Sequence, residues 1–588
     1  MKSASTLMTI LAVSSHSTAM TCKSTPLDSD WPPVAEWEAL NSTLNGALLQ
    51  TRPVASACYT GNPFNSTMSC NEVEDQWNST YFHATLPESV DFSLWTNNSC
   101  VPPGIDGHLE DRPCSIGAYP AYIVNGSSNK IISDAMSWAS RRNIRINVKG
   151  TGHDLDGRST GAHSLSIWTH HLNNIQFESN WNGTEDVVIV GSGQQWGNVY
   201  DAAAKFGKVV VGGADGSVGL GGHIQGGGYG PRSPAYGLAP DQVLQVTVVT
   251  TTGEIFFAND TNHQDLLWAL RGGGGGTYGV VTEYVLKAYP APANTVAGIL
   301  SISGGKNATG NATWDAFAVA LNHVPDLMDN GVWGNAIAFG QTPGEVQVTF
   351  QLSAYNSTAS DLTAKIRPII AAISKATGNM SNNSNLSVQW SDPTVSLFDR
   401  NSSSKSASNT AGVGGLETSR LLGRAQLTLP YKQVSSYLRR IMYTELGAGR
   451  AMLILGLFAG PGVQNTPPER QGAVNPIWRS TYVHAISGSG PAAQESDTPA
   501  QIIKQSSKWY ETHREAVWRE WAPNTGAYMN EANPYNSNWK HDFFGVNYDK
   551  LAAIKQKYDP SESLYAVSRV GSEWWDNDLQ TGKLCKIE

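Results

Sequence analysis

The run Lys149-Gly150-Thr151-Gly152-His153-Asp154-Leu155-Asp156-Gly157-Arg158-Ser159 holds a histidine inside a glycine-rich loop. A second run follows at Gly219-Leu220-Gly221-Gly222-His223-Ile224-Gln225-Gly226-Gly227-Gly228-Tyr229-Gly230. Residues without side chains let backbone N–H groups close on anionic oxygens, so the pair of runs points to a bound pyrophosphate cofactor. His153 sits where the ring end of such a cofactor could reach it. His223 reads instead as a satisfied histidine in a tight loop. No Cys-x-x-Cys or comparable ligand spacing occurs, so no metal site is expected.

The elements that must hold these loops are partly readable. Apolar spacing at Ile132, Met136 and Ala139 predicts a helix over 131–142, and alternation over 144–148 predicts a strand feeding the first loop. Residues 187–191 read as a buried strand, and Trp196, Val199, Tyr200, Ala203 and Phe206 line a helix that Gly207 stops. Residues 243–250 and 254–258, with a turn at Thr252-Gly253, read as a hairpin. A helix over 266–270, open backbone at the five glycines 272–276 and a strand over 280–286 complete a block spanning 116–290. From 291 to 520 the pattern is that of a second α+β unit, with helices near 314–323 and 361–376 and a strand over 346–352. Residues 379–411 are expected to form a surface excursion, and 420–429 and 451–459 to be strands.

The 588 residues exceed one ordinary core, which implies more than one domain. A net charge of −9 with 15% charged residues provides no basic stripe for nucleic acid. Met1-Lys2, the apolar stretch 7–13 and Ser17-Thr18-Ala19 have the form of a secretory signal over 1–19, and nothing else is apolar enough to span a membrane. The six cysteines suit an oxidising compartment: Cys58 with Cys70 and Cys100 with Cys114 are spaced for local pairs, Cys22 and Cys585 stay unassigned, and fifteen connectivities are open. Asn-x-Ser/Thr acceptors, among them Asn41, Asn65, Asn78, Asn307 and Asn401, fit a secreted glycoprotein. Residues 20–115, rich in Cys, Pro, Ser and Asn, read as a disulfide-tied structural leader.

Several separate pieces agree with one family. Gly152-His153-Asp154 with Gly157-Arg158-Ser159, the run from Val218 to Gly230, Tyr236-Gly237 with Asp241, Leu270-Arg271-Gly272-Gly273 to Gly279-Val280-Val281, and Asn547-Tyr548 with Leu551 resemble the vanillyl-alcohol-oxidase and berberine-bridge-enzyme-like flavoproteins. Asn475-Pro476-Ile477-Trp478-Arg479 and Val570-Gly571-Ser572-Glu573-Trp574-Trp575 look most like the fungal isoamyl alcohol oxidase-like subgroup, whose members often belong to secondary metabolism. The resemblance implies an α+β fold: a two-part PCMH-type FAD-binding domain, an α+β substrate domain with an antiparallel sheet covered by helices, and a segment, 521–588, that returns to the FAD domain.

The resemblance also implies site residues. FAD would lie against Gly150, Thr151, Gly152, His153, Asp154, Ser159, Asp215, Val218, Gly219, Gly222, Gly226, Tyr229, Gly230, Val281 and Asn547. His153 matches the residue that in many members is bonded to the flavin 8α-methyl group, an attachment that raises the flavin's potential. Doubly tethered members carry a cysteine where Asp215 stands, so one covalent link is expected here. Gly526-Ala527-Tyr528-Met529-Asn530-Glu531 resembles the strand Ala-Tyr-x-Asn-Tyr, with Glu531 in place of the tyrosine that serves as base, and Tyr528 as a second candidate. A carboxylate buried beside an apolar ring can take a hydroxyl proton as hydride leaves; the competing reading is a strand-end glutamate facing water. Val218 matches a position that gates dioxygen, and valine there accompanies oxidases. The implied function is an oxidase of a small-molecule alcohol that returns electrons to dioxygen as hydrogen peroxide. A dehydrogenase or oxidative cyclase and a non-catalytic binding protein are the alternatives.

Overall fold

The structure, a computed structural model, describes residues 21–304, 311–342, 345–378, 386–400, 411–412, 415–442, 451–488 and 496–587. The expected signal at 1–19 and the acceptors Asn307 and Asn401 lie outside the described residues.

Ser128 starts the first crossover helix, Asn129–Ser140, by accepting the Ile131 amide on its hydroxyl. This is the ordinary chemistry of an N-cap. Ile132, Ala135, Met136 and Ala139 recur on one helical face and pack on Ile146, Leu165 and Ile167. The sheet beneath has Tyr122–Asn125, Leu165–Trp168 and Ile146–Lys149 in parallel, with Leu48–Gln50 antiparallel at one edge. The glycine loop carrying His153 leaves the carboxyl end of Ile146–Lys149, so the helix packing that fixes this strand also fixes the loop. A five-stranded antiparallel sheet follows, in the order Ile175–Trp181, Glu185–Gly191, Val280–Lys287, Val243–Val249, Ile255–Asn259. The hairpin expected at 243–258 is its edge.

A further large core lies under an eight-stranded antiparallel sheet. Its order is Leu386–Trp390, Asn294–Gly304, Glu345–Tyr355, Val332–Thr342, Met452–Leu457, Thr481–Ser487, Thr418–Gly423, with Thr394–Leu397 also paired to Asn294–Gly304. Strict alternation in Glu345–Tyr355 turns Val346, Val348, Phe350, Leu352 and Ala354 inward, as a two-residue period requires. Helices Ala312–Asn322, Ala359–Thr377 and Tyr431–Met442 share that core. The protein is thus α+β, with an antiparallel sheet covered by helices beside the glycine-loop sheets.

Three expectations are corrected. The excursion at 379–411 contains the strands Leu386–Trp390 and Thr394–Leu397 among its described residues; Trp390 lies over Gly298, where a Cβ would stand 2.5 Å from its ring. The strand expected over 420–429 ends at Gly423 and turns into a helix, Arg424–Leu427, because Gln426 reaches back to accept the Gly423 amide. The leader is more ordered than its composition suggested, with helices Val34–Thr43, Cys70–Gln76 and Thr80–Thr85.

The disulfides are Cys58–Cys70, Cys100–Cys114 and Cys22–Cys585. At the other end, Trp539–Phe544 and Tyr548–Tyr558 return Phe543, Phe544, Leu551 and Ile554 to the core of the five-stranded sheet. The Ser563 carbonyl accepts the Ile146 amide at 2.7 Å, at the start of the strand that leads to the His153 loop. Among the described residues, no helix is long and apolar enough to cross a membrane.

Candidate flavin site and proton-abstraction cluster

Three glycine runs meet at one place. A Cβ on Gly219 would stand 3.0 Å from Thr151 Cγ2, and one on Gly275 would stand 3.5 Å from Gly222 Cα. Gly152 has φ +90°, a left-handed conformation that a Cβ disfavours. The second run is not all loop: Leu220–Gln225 is a short helix with Leu220 and Ile224 buried on one side. Its first turn leaves the Gly221 and Gly222 amides without intrahelical acceptors. Around Gly222 nothing would touch a Cβ within 4 Å, and beside Gly150 only Thr169 Oγ1 would, at 3.8 Å. Open backbone at converging loops is what a pyrophosphate-bearing group needs, and these residues fit FAD. Gly226 and Gly230 also permit close packing: a Cβ on the first would overlap Asn530, and on the second would lie 2.0 Å from the Gly212 carbonyl oxygen.

Other expected cofactor residues also make contacts within the protein. Asp154 Oδ1 accepts the amides of Asp156 and Arg158 at 3.0 and 2.9 Å, bracing the loop after His153. Burial works to raise its pKa, but Arg158, Arg569 and these amides prevail and hold it below the usual range. The Ser159 carbonyl accepts from Asn147 at 3.1 Å. Val281 lies in the core of the five-stranded sheet, and half-buried Val218 leans on the same core. Asn547 spends its amide on the carbonyls of Ala473 and Val474, at 3.2 and 3.1 Å. His223 is packed as expected, contacting the Tyr229 carbonyl at 3.0 Å, and burial pushes it down to about 4.

His153 stands between two carboxylates. Its Nε2 is 3.2 Å from Ser217 Oγ, which donates at 2.7 Å to Asp215. Its Nδ1 is 3.8 Å from Asp91 Oδ2. Asp91 is only 1% exposed, and burial pushes it up to about 6 against the opposing influence of His153 and Lys149. Asp91 belongs to the leader, which the sequence presented as structural wrapping. Its amide donates to Gly152 at 3.1 Å, and nearby Trp95 donates to the Leu155 carbonyl at 2.9 Å. No spacing in the sequence marked either residue.

Glu531 anchors a second cluster. Tyr229 donates to Glu531 Oε2 at 2.7 Å, and His484 Nδ1 lies 3.2 Å from the Tyr229 hydroxyl and 3.3 Å from Glu531 Oε2. Tyr229, expected on the cofactor, is therefore the carboxylate's partner. Although 29% of the Glu531 side chain stays exposed, its enclosure pushes the carboxyl up to about 7, with the Tyr229 bond pulling the other way. Burial takes His484 down to about 3, so it is neutral, and the oxygens on its Nδ1 side assign the ring proton there. Sequence reasoning missed His484, which no motif or spacing singled out; it lies in strand Thr481–Ser487, which is buried throughout.

Aromatic rings wall this cluster: the Tyr229 ring centre lies 5.4 Å from Tyr528, 5.7 Å from Phe458 and 5.8 Å from Trp478. Burial, then Glu531, holds the Tyr528 hydroxyl well above its usual value. It stays protonated, and accepts from Asn530 at 2.8 Å. A second carboxyl, Glu417, is also held well above the usual range by burial and then by the charges of Glu531 and Asp156. The segment 526–531 is not the expected strand. Gly526 and Ala527 each make one backbone bond, to Leu421 and Asp542, and the chain then closes a turn from Tyr528 to Glu531. That turn aims Glu531 at Tyr229.

The region 120–259 matches a family described as FAD binding domain, and 527–566 matches one described as berberine and berberine like. An FAD-linked oxidoreductase, apf9, of Gibberella fujikuroi is 33% identical over 97% of this chain and 97% of its own length. The VAO-type flavoprotein oxidase VAO615 of Thermothelomyces thermophilus is 30% identical over 97% of this chain and 96% of its own. Among solved structures, the VAO-type flavoprotein MtVAO713 from Myceliophthora thermophila superimposes with a TM-score of 0.84 at 28% identity, covering 97% of this chain and all of the other. The site and fold define an FAD-linked oxidoreductase. The chain belongs to the vanillyl-alcohol-oxidase and berberine-bridge-enzyme-like family of these enzymes.

Proposed function

We propose that the protein is an FAD-dependent oxidase that removes hydride from the hydroxyl-bearing carbon of a small molecule and passes the electrons to dioxygen. The observation that carries this reading is Glu531, a carboxylate with a raised pKa, oriented by Tyr229 and neutral His484 inside an aromatic wall. Bound FAD supplies the hydride acceptor and the centre that reacts with dioxygen. Glu531 takes the substrate's hydroxyl proton. The protonated Tyr229 hydroxyl fixes the Oε2 position, so Oε1 faces the proton to be removed, and the rings of Tyr528, Phe458 and Trp478 exclude water and seat an apolar body. The glycine runs at 150–152 and 219–222 hold the pyrophosphate, and Val218 lines the dioxygen approach. A screen of alcohols for peroxide release, with flavin reoxidation followed by stopped flow, tests the reading. A reduced flavin that ignores oxygen would exclude an oxidase.

That outcome would favour the second reading, an oxidative cyclase or dehydrogenase of a biosynthetic pathway. One relative, 31% identical over 96% of this chain, bears the name bifunctional decalin synthase. The site residues serve either chemistry, since both begin with proton and hydride removal. Secretion and glycosylation belong to the same proposal, supported by the three disulfides, which persist in oxidising compartments.

His153 is proposed as the single covalent anchor of the flavin. In His153→Ala, acid precipitation is expected to move the yellow colour from the pellet to the supernatant while the native protein still binds FAD through its glycine loops. A wild-type pellet that is colourless would end the covalent reading.

A further inference from the structure

We propose that Asp215 and Ser217 form a proton relay that sets the tautomer of His153 and takes up its ring proton during flavin attachment, in the position where doubly tethered relatives have a second sulfur link. The inference rests on the single-tether reading above and deepens it.

The geometry is specific. Asp215 Oδ1 accepts both the Ser217 amide, at 2.8 Å, and the Ser217 hydroxyl, at 2.7 Å. Ser217 is fully buried and Asp215 is 6% exposed. A hydroxyl has one proton, and the shorter bond to a carboxylate claims it. Ser217 Oγ therefore turns a lone pair to His153, and the Nε2 contact at 3.2 Å is a bond in which Nε2–H donates. Nδ1 is left with its lone pair. On that side Asp91 is 3.8 Å away, beyond hydrogen-bond reach, so it does not take the lone pair but favours positive charge as it develops on the ring.

The loop is built to hold this arrangement. The Trp196 amide donates to the Val218 carbonyl at 3.0 Å, the Gly197 amide to Gly216 at 2.9 Å, and Gln195 Nε2 to the Ser217 carbonyl at 2.8 Å. Three contacts from the start of helix Trp196–Lys205 thus pin residues 216–218 on either side of the hydroxyl. A carboxylate–hydroxyl–imidazole chain supported from behind is a positioning device: a hydrogen-bond partner on one ring nitrogen fixes the tautomer and orientation of the imidazole.

In the attachment, a bond forms between Nδ1 and the 8α-methyl carbon, while one methyl C–H bond and the imidazole Nε2–H bond break. The electron pair of the methyl C–H bond and the methyl proton pass to the flavin, the Nε2 proton goes to the relay, and dioxygen takes up the electron pair, the methyl proton and one proton from solvent as hydrogen peroxide. The Nε2 proton leaves through Ser217 towards Asp215 as the ring acquires its second substituent, so the relay is needed once per molecule and not in turnover.

The test uses the full-length chain as purified and then incubated aerobically with excess FAD. Covalent flavin is read by acid precipitation and by fluorescence of the denatured band, and total flavin by absorbance of the native protein. Asp215→Asn and Ser217→Ala are expected to bind FAD but to tether it at least tenfold more slowly than wild type, while Ser217→Thr, which keeps the hydroxyl, restores tethering. The flavin-bearing peptide from wild type is expected to show the methylene on Nδ1 by NMR. Tethering at the wild-type rate in both slow variants, attachment through Nε2, or loss of all FAD binding in both variants overturns the relay, the last because it makes the pair structural. A wild-type protein that releases all its flavin into acid overturns the tether itself, whatever the variants do.

Discussion

Glu531→Gln is expected to slow anaerobic flavin reduction by about 10²–10⁴-fold, the usual worth of a positioned general base, while leaving the flavin spectrum and the covalent fraction unchanged. Glutamine keeps the shape and can still accept from Tyr229, but it cannot take a proton. The pH dependence follows from the same group. Only the ionised carboxylate is a base, so wild-type reduction is expected to rise with pH through about 7 and level above it, and the variant to lose that rise. Because the Tyr229 bond lowers the Glu531 pKa, Tyr229→Phe is expected to move the rise to higher pH. Stability changes in the opposite sense to activity. A carboxyl whose folded pKa exceeds its unfolded value stabilises least once both states are ionised, so above about pH 7 the Gln variant is expected to unfold at no lower temperature than wild type. Reduction at the wild-type rate in Glu531→Gln would remove Glu531 as the base.

What the sequence displayed and what it concealed follow from how each feature is encoded. Glycine loops, the helix read over 131–142, the hairpin over 243–258 and the strand read over 346–352 depend on local residue type and periodicity, and these are visible in a string. Its motif position singled out Glu531 as a candidate, but nothing in the sequence showed its contacts. Tyr229 lies some three hundred residues upstream in the chain, and its register in the second glycine run says nothing about which way the ring turns. His484 comes from a strand of the other sheet. Asp91 is brought to His153 by a backbone bond from a leader whose Pro and Asn content masks its short helices. Asp215 stood out in the sequence only as the absence of a cysteine; the proposed relay also needs Ser217, whose place shows only in the loop pinned by Gln195, Trp196 and Gly197. The error at 526–531 has the same origin: a strand-like sequence makes only one pair on each side before a turn is required to aim its carboxylate.

Arg420→Met is expected to destabilise the protein by about 3–5 kcal/mol, the cost of leaving a buried charge without its partner, and to lower the flavin reduction rate as well. Arg420 is 1% exposed and its Nη1 lies 3.0 Å from Asp542, which is fully buried. The same guanidinium donates through Nε and Nη2 to the Ala522 carbonyl, at 3.2 and 2.7 Å. Strand Thr418–Gly423 of the eight-stranded sheet is thereby fastened to helix Trp539–Phe544 of the returning segment. Between them runs Gly526-Ala527, bonded to Leu421 on one side and to the Asp542 carbonyl on the other. The turn that aims Glu531 starts there, so loosening the pair should displace Glu531 without touching it. The double variant Arg420→Met/Asp542→Leu removes both charges and is expected to recover most of the stability, since an apolar replacement of a whole buried pair is often neutral or better. It should not recover the reduction rate to the same degree, because the bonds from Arg420 to the Ala522 carbonyl, just before segment 526–531, are still missing. Urea midpoints and single-turnover reduction rates on the two variants separate these effects. Equal recovery of both quantities in the double variant would show that the guanidinium acts on the site through charge balance alone and not by holding the turn.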